Sequence, residues 1–193
     1  MPAIKDLLKI MGLKLEEING IAVSIGPGSF TGLRIGLAVA KGLSYACSLP
    51  LLGIPTLEAK AFPLTGMPHL ICPISESKKD EIYDVVFRGG ESLQRIMDYK
   101  CEDIHSLLAR LSPFKEKIIF LGDGIKKYRD NIKGKIGKDA LFIDSQINLS
   151  MATNIAFLGL NKLKKKEEDD ISALSPFYLR KSEAEIVWEK KYK

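Results

Sequence analysis

Between Gly26 and Arg34 the chain reads Gly-Pro-Gly-Ser-Phe-Thr-Gly-Leu-Arg, directly after the apolar, β-branched run Ile21–Ile25. Strand, glycine turn and helix in that order can aim the first N–H groups of a helix at an anion. The spacing nevertheless fits neither named phosphate loop. A dinucleotide fingerprint needs a glycine where Thr31 stands, and a Walker loop needs a lysine well before Lys41. Gly26 and Gly28 are equally explained by a tight turn and close strand–helix packing. The loop residues Gly26, Gly28, Ser29, Thr31 and Gly32 therefore read either as a structural turn or as an anion-facing one. Arg34 places a cation in the first helical turn, against the helix dipole, which predicts an anionic neighbour: an intramolecular carboxylate, a phosphate or a partner's acidic group.

Other reactive groups do not form constellations. His69 and His105 lack the paired spacing along a helix that a metal site needs. Ser29 lies in Pro-Gly-Ser-Phe, not in a nucleophile elbow. Cys47, Cys72 and Cys101 are odd in number and show no C-x-x-C spacing, so neither a disulfide framework nor a zinc knuckle is expected, and Cys47 reads as a packing thiol. Asp123, between two glycines, reads as a turn or helix-capping residue. The sequence thus offers no catalytic residue and no metal ligand set.

The elements that position the loop follow from periodicity. Ile21–Ile25 and Leu51–Ile54 are short apolar strands, and Gly32–Ala46 between them is a helix, which makes a βαβ unit. Gly32, Gly36 and Ala40 recur at helical spacing with Leu33, Leu37 and Leu43 around them. Interior glycines disfavour helix by roughly 1 kcal/mol each, so close approach of another helix is expected to compensate. Pro2–Met11 is a second amphipathic helix, with Ile4, Leu7, Leu8 and Met11 on one face and Gly12 as its stop. The predicted contact surface combines Ile4, Leu7, Leu8, Met11, Leu33, Gly36, Leu37 and Ala40.

The run Gly26–Gly36, with the LPLLGIPTLEA segment that follows, resembles the bacterial TsaB (YeaZ) family, whose members carry the same G-P-G-S-F-T-G-L-R-I-G. Glu76–Tyr83 aligns with that family's D-A-R-R-G-E-V-Y, with lysines in place of the arginines and hence no bidentate forks. Pro176, Tyr178, Leu179, Arg180 and Ala184 resemble its closing motif. The resemblance implies an α/β, actin-like (ASKHA, ribonuclease H-like) fold of two lobes. It also implies a non-catalytic partner subunit in N6-threonylcarbamoyladenosine synthesis, on tRNAs that read codons beginning with A. Such a subunit dimerises with a TsaD-like catalytic subunit through its first two helices and works beside a TsaE-like ATPase. ATP and metal are then expected only in the partner subunits, tRNA only through the complex, and a homodimer is a further possibility. An actin-like ATP-binding enzyme is the alternative, and a metallopeptidase-like protein a third reading that the missing histidine pair opposes. The family places further strands ahead of the first helix, so the first lobe is expected to be truncated at its N-terminus, leaving strand Ile21–Ile25 with an edge to be covered.

Composition sets the remaining bounds. With 193 residues and 46% hydrophobic content the chain can build a core of one medium domain or two small lobes. The expected division is residues 1–63, 64–175 and a closing segment 176–193, with a linker at Pro63–Pro68. Net charge is +5, and the cluster at Lys162, Lys164, Lys165 and Lys166 abuts Glu167, Glu168, Asp169 and Asp170, so it partly neutralises itself and reads as a solvated face. No apolar run reaches membrane-spanning length, so a cytoplasmic protein is expected. Further elements are expected as a helix from Thr56 to Phe62, strands at Leu70–Ile74, Glu81–Phe87 and Ser92–Met97, and a helix at Asp103–Leu111. Strands at Ile118–Leu121 and Leu141–Ile143 follow, then a helix capped by Ser150.

Overall fold

The computed structural model describes residues 2–78, 80–143, 151–181 and 183–192. The proposed Ser150 cap, Lys79 of the aligned Glu76–Tyr83 segment, and Lys193 fall outside them. The chain forms two compact units, one of residues 1–55 and 155–177 and one of residues 56–154 and 178–193.

The first unit is built on the βαβ arrangement that the apolar spacing implies. Strand β1 (Ile21–Gly26) leads into helix α2 (Phe30–Cys47), which returns the chain to strand β2 (Leu51–Pro55), parallel to β1 with Ile21 opposite Leu51. Helix α1 (Pro2–Met11) precedes them and stops at Gly12, whose φ is +66°. The chain returns to this unit with most of helix α6 (Met151–Lys164), where Gly159 comes so near β1 that a Cβ there would stand 2.5 Å from that of Ala22. Beyond α6, the main chain at Asp169 donates to the Leu51 carbonyl at 2.9 Å, and the Asp169 carboxylate accepts from Gly53 N–H at 2.8 Å. Lys162 donates to the same carboxylate oxygen at 2.8 Å. That lysine is therefore an internal pair and not part of a solvated face, because Asp169 is carried back onto β2. Phe177 N–H then donates to the Ile25 carbonyl at 2.7 Å.

The second unit holds a five-stranded sheet in the order β5-β4-β3-β6-β7. Strands β3 (Leu70–Glu76), β4 (Glu81–Arg88) and β5 (Gln94–Asp103) form an antiparallel meander, while β6 (Ile118–Leu121) and β7 (Ala140–Phe142) continue it parallel to β3. Helix α4 (Ile104–Leu111) leads from β5 towards β6, and helix α5 (Ile125–Ile136) from β6 to β7. Helix α3 (Thr56–Ala61) packs on β3, and helix α7 (Glu183–Tyr192) closes the chain. Leu57, Leu70, Ile82, Leu107 and Phe120 belong to one buried cluster.

Several boundaries depart from the periodicity reading. β5 starts at Gln94 and runs to Asp103, well past Met97, because pairing with β4 continues to Glu81 opposite Asp103. Pro63–Pro68 is not a boundary: Phe62–Leu64 is a short 3-10 helix, and Leu57, Ala61 and Leu64 are buried in the second unit's core. The units divide at Pro55/Thr56, and residues 155–177 return to the first, since the stretch after α6 is hydrogen-bonded to β2.

Candidate interaction surface

The glycine turn is a helix cap. Ser29 is the N-cap of α2, its Oγ accepting from Gly32 N–H at 3.3 Å and its carbonyl from Leu33 N–H at 2.9 Å. One of the amides that an anion would need is thereby engaged. Gly26 is buried at φ +111°, and a side chain there would approach Leu33 Cδ1 to 2.8 Å and the Phe177 carbonyl to 2.9 Å, so close approach accounts for it. Gly28 and Thr31 are exposed. The Arg34 guanidinium lies 4.0 Å from the centroid of the Phe30 ring, one helical turn back, a neighbour that the charge argument did not name.

The predicted contact surface divides between the inside and the outside of the first unit. On α2, Leu37 and Ala40 are buried and Leu33 is half-buried, so these three pack within the unit instead of facing a partner. Gly36 is exposed, and a Cβ there would meet nothing within 4 Å. The small-residue strip fails as one continuous outer face because spacing of four residues drifts about 40° per step in a helix, which carries Ala40 round to the sheet side. What α2 does present outward is Thr31, Ile35, Ala38, Gly42 and Tyr45, with Ile35 61% and Tyr45 80% exposed. On α1, Ile4 and Leu8 are half-buried, while Leu7, Ile10 and Met11 are exposed, Ile10 at 80%. Ile35, Tyr45 and Ile10 were missed, although the recurrence of residues 31, 35, 38, 42 and 45 on one face was available as a signal.

Potentially reactive groups elsewhere are occupied by structural contacts. Asp123 is not a helix cap: it accepts from Lys60 Nζ at 2.5 Å and from Glu76 N–H at 3.4 Å, while Gly124 is the N-cap of α5. Burial pushes its carboxyl up, but the hydrogen bond and charge of Lys60 outweigh this and hold it below its usual range. Lys60 also donates to Ser75 Oγ, so α3 is tied to the C-terminal ends of β3 and β6. Cys72 is fully buried, and burial, followed by the charge of Asp84, drives its thiol well up, away from thiolate chemistry. Burial likewise raises the Cys101 thiol, which contacts Ser77 and Glu81. Glu81 also pairs with Arg180 at 3.1 Å, the arginine of the closing motif. Among the described residues no His, Cys, Asp and Glu cluster could hold a metal ion, and no helix is long and apolar enough to cross a membrane.

Comparison with known proteins follows the same lines. The family model of TsaD, tRNA N6-adenosine threonylcarbamoyltransferase, matches residues 1–188. The tRNA threonylcarbamoyladenosine biosynthesis protein TsaB of Bacillus subtilis (strain 168) is 30% identical, across 97% of this chain and 81% of its own. The TsaB of Escherichia coli (strain K12) is 26% identical, across 98% and 81%. The solved structure of YeaZ from Pseudomonas aeruginosa superposes with a TM-score of 0.72 at 22% identity, covering 92% of this chain and 82% of that one, which is a likeness of fold.

Proposed function

Because this chain belongs to the TsaB branch of the TsaD-type family, we propose that it is a non-catalytic subunit in the synthesis of threonylcarbamoyladenosine on tRNAs reading codons that begin with A. It acts by docking on a TsaD-like catalytic subunit, with a TsaE-like ATPase as the further component. ATP and metal then reside in those partners, and tRNA is engaged through the complex. The observation that carries the reading is the set of exposed apolar side chains on two helices of the first unit: Leu7, Ile10 and Met11 on α1 and Ile35, Ala38 and Tyr45 on α2. Desolvating such aliphatic and aromatic anchors is what a stable protein interface uses.

The test is reconstitution of tRNA modification from purified TsaD-like and TsaE-like subunits, ATP, threonine-derived substrate and tRNA, with and without this chain. Modification is expected only when the chain is present, and Ile35→Asp is expected to weaken its binding to the TsaD-like subunit by at least ~2 kcal/mol, as loss of a buried anchor does. Full modification without the chain, or unaltered affinity of the folded variant, overturns the reading. Tight ATP binding by the chain alone would favour the actin-like enzyme instead.

A further inference from the structure

Strand β4 carries one acid into the interior of the second unit. Asp84 is 0% exposed, opposite Ile74 in β3 and Lys100 in β5. Its Oδ1 accepts from Arg110 Nη2 of α4 at 2.5 Å. Arg110 also serves Glu102 of β5, through Nε at 2.8 Å and again through Nη2. The second oxygen of Asp84, Oδ2, is sealed from solvent and has no hydrogen-bond partner. Cys72 of β3, also fully buried, lies close enough to feel the Asp84 charge. Two carboxylates therefore share one guanidinium, and with all three ionised the cluster would carry an excess negative charge whose Asp84 end is closed to water, while Arg110 and Glu102 are partly exposed. An unpartnered carboxylate oxygen in such a place is costly, and a proton on Oδ2 lowers the cost by removing the charge.

We propose that Asp84 is a neutral acid in the packed second unit, and that release of its proton to solvent on opening makes α4 easier to detach from β4 and β5 as pH rises towards neutrality. Burial is the main cause that moves this carboxyl up to about 7, with the Arg110 charge opposing it and the Glu102 charge reinforcing it. The folded unit thus keeps the proton to about pH 7, whereas the unfolded chain gives it up near pH 4. Stability from this group is complete below that lower value and falls as pH rises. Between the two values the folding constant drops about tenfold per pH unit, and above about pH 7 it levels off. Opening of α4 follows the same window, because an opened cluster gives up the Asp84 proton at pH values where the packed one still holds it.

The experiment follows the Asp84 carboxyl carbon by NMR in the full chain from about pH 4 to about pH 9, with amide exchange of α4 measured against that of α5. Thermal unfolding of the wild type and of Asp84→Asn is recorded in parallel. The expected result is a carboxyl midpoint near neutrality, with α4 protection relative to α5 falling as pH rises towards that midpoint and level above it. Wild-type stability relative to Asp84→Asn should fall towards neutrality and be constant beyond it. Glu102→Gln should move the midpoint down, which gives a second variant should Asp84→Asn not fold. An Asp84 carboxyl already ionised at about pH 5, or one that titrates while α4 protection stays level with α5, overturns the proposal.

Discussion

Gly26 marks where single residues constrain the first unit most tightly. At φ +111°, with Leu33 Cδ1 and the Phe177 carbonyl both inside 3 Å of any added Cβ, Gly26→Ala combines an unfavourable backbone region with overpacking. A loss of about 2 kcal/mol or more is expected, read from denaturant midpoints at constant slope. Asp169 makes a comparable point from the other side. Its carboxylate holds Gly53 N–H and Lys162 together, so Asp169→Ala should cost about 2 kcal/mol by leaving the amide of a buried glycine unsatisfied. The close packing at Gly26 was anticipated from its place before the helix; the Asp169–Gly53 contact was not. Asp169 read as one of a run of surface acids, and the partner that gives it meaning lies 116 residues away.

For whole elements, periodicity identified α1, α2, α4 and most strands, because backbone hydrogen bonding and side-chain alternation are local. It did not recover α5 or α7. Along α5, Ile125, Tyr128 and Ile132 are the buried positions, but lysines and glycine surround them and the apolar signal is thin. The helix reading at residue 103 was one position early: Asp103 is the N-cap of α4, its Oδ1 accepting from His105 and Ser106 N–H at 2.9 and 3.1 Å. Asp103→Ala is expected to destabilise α4 by about 1 kcal/mol, seen as faster amide exchange in its first turn. On α2 the two faces separate cleanly by mutation. Gly36→Leu fills open space in the isolated chain and replaces a poor helix former, so thermal stability should rise by about 0.5–1 kcal/mol. The same change should weaken the complex with the TsaD-like subunit in a pull-down, since a bulky side chain then stands on the flank of the docking face.

Across the molecule, the two units differ in how they are assembled from the chain. Among the described residues, the buried cluster of the second unit is drawn from residues between Leu57 and Ile132, with its partly buried neighbours reaching Ile143. The first unit requires two distant stretches. A fragment of residues 56–154 is therefore expected to keep a cooperative unfolding transition, whereas residues 1–55 should not fold without 155–177, a contrast that circular dichroism melts of the two fragments would establish. Residue order alone was enough for the β1–α2–β2 arrangement around an unbroken Gly26–Gly36 motif, for the lack of a histidine pair at metal-binding spacing, and with them for the family. The packed chain was needed to show that Leu33, Leu37 and Ala40 turn inward while Ile35 and Tyr45 turn outward, that residues 155–177 complete the first unit, and that Asp84 is sealed beside Arg110. Repeat spacing records that a helix has two faces, but which face meets the sheet depends on strands and segments brought together from remote parts of the chain.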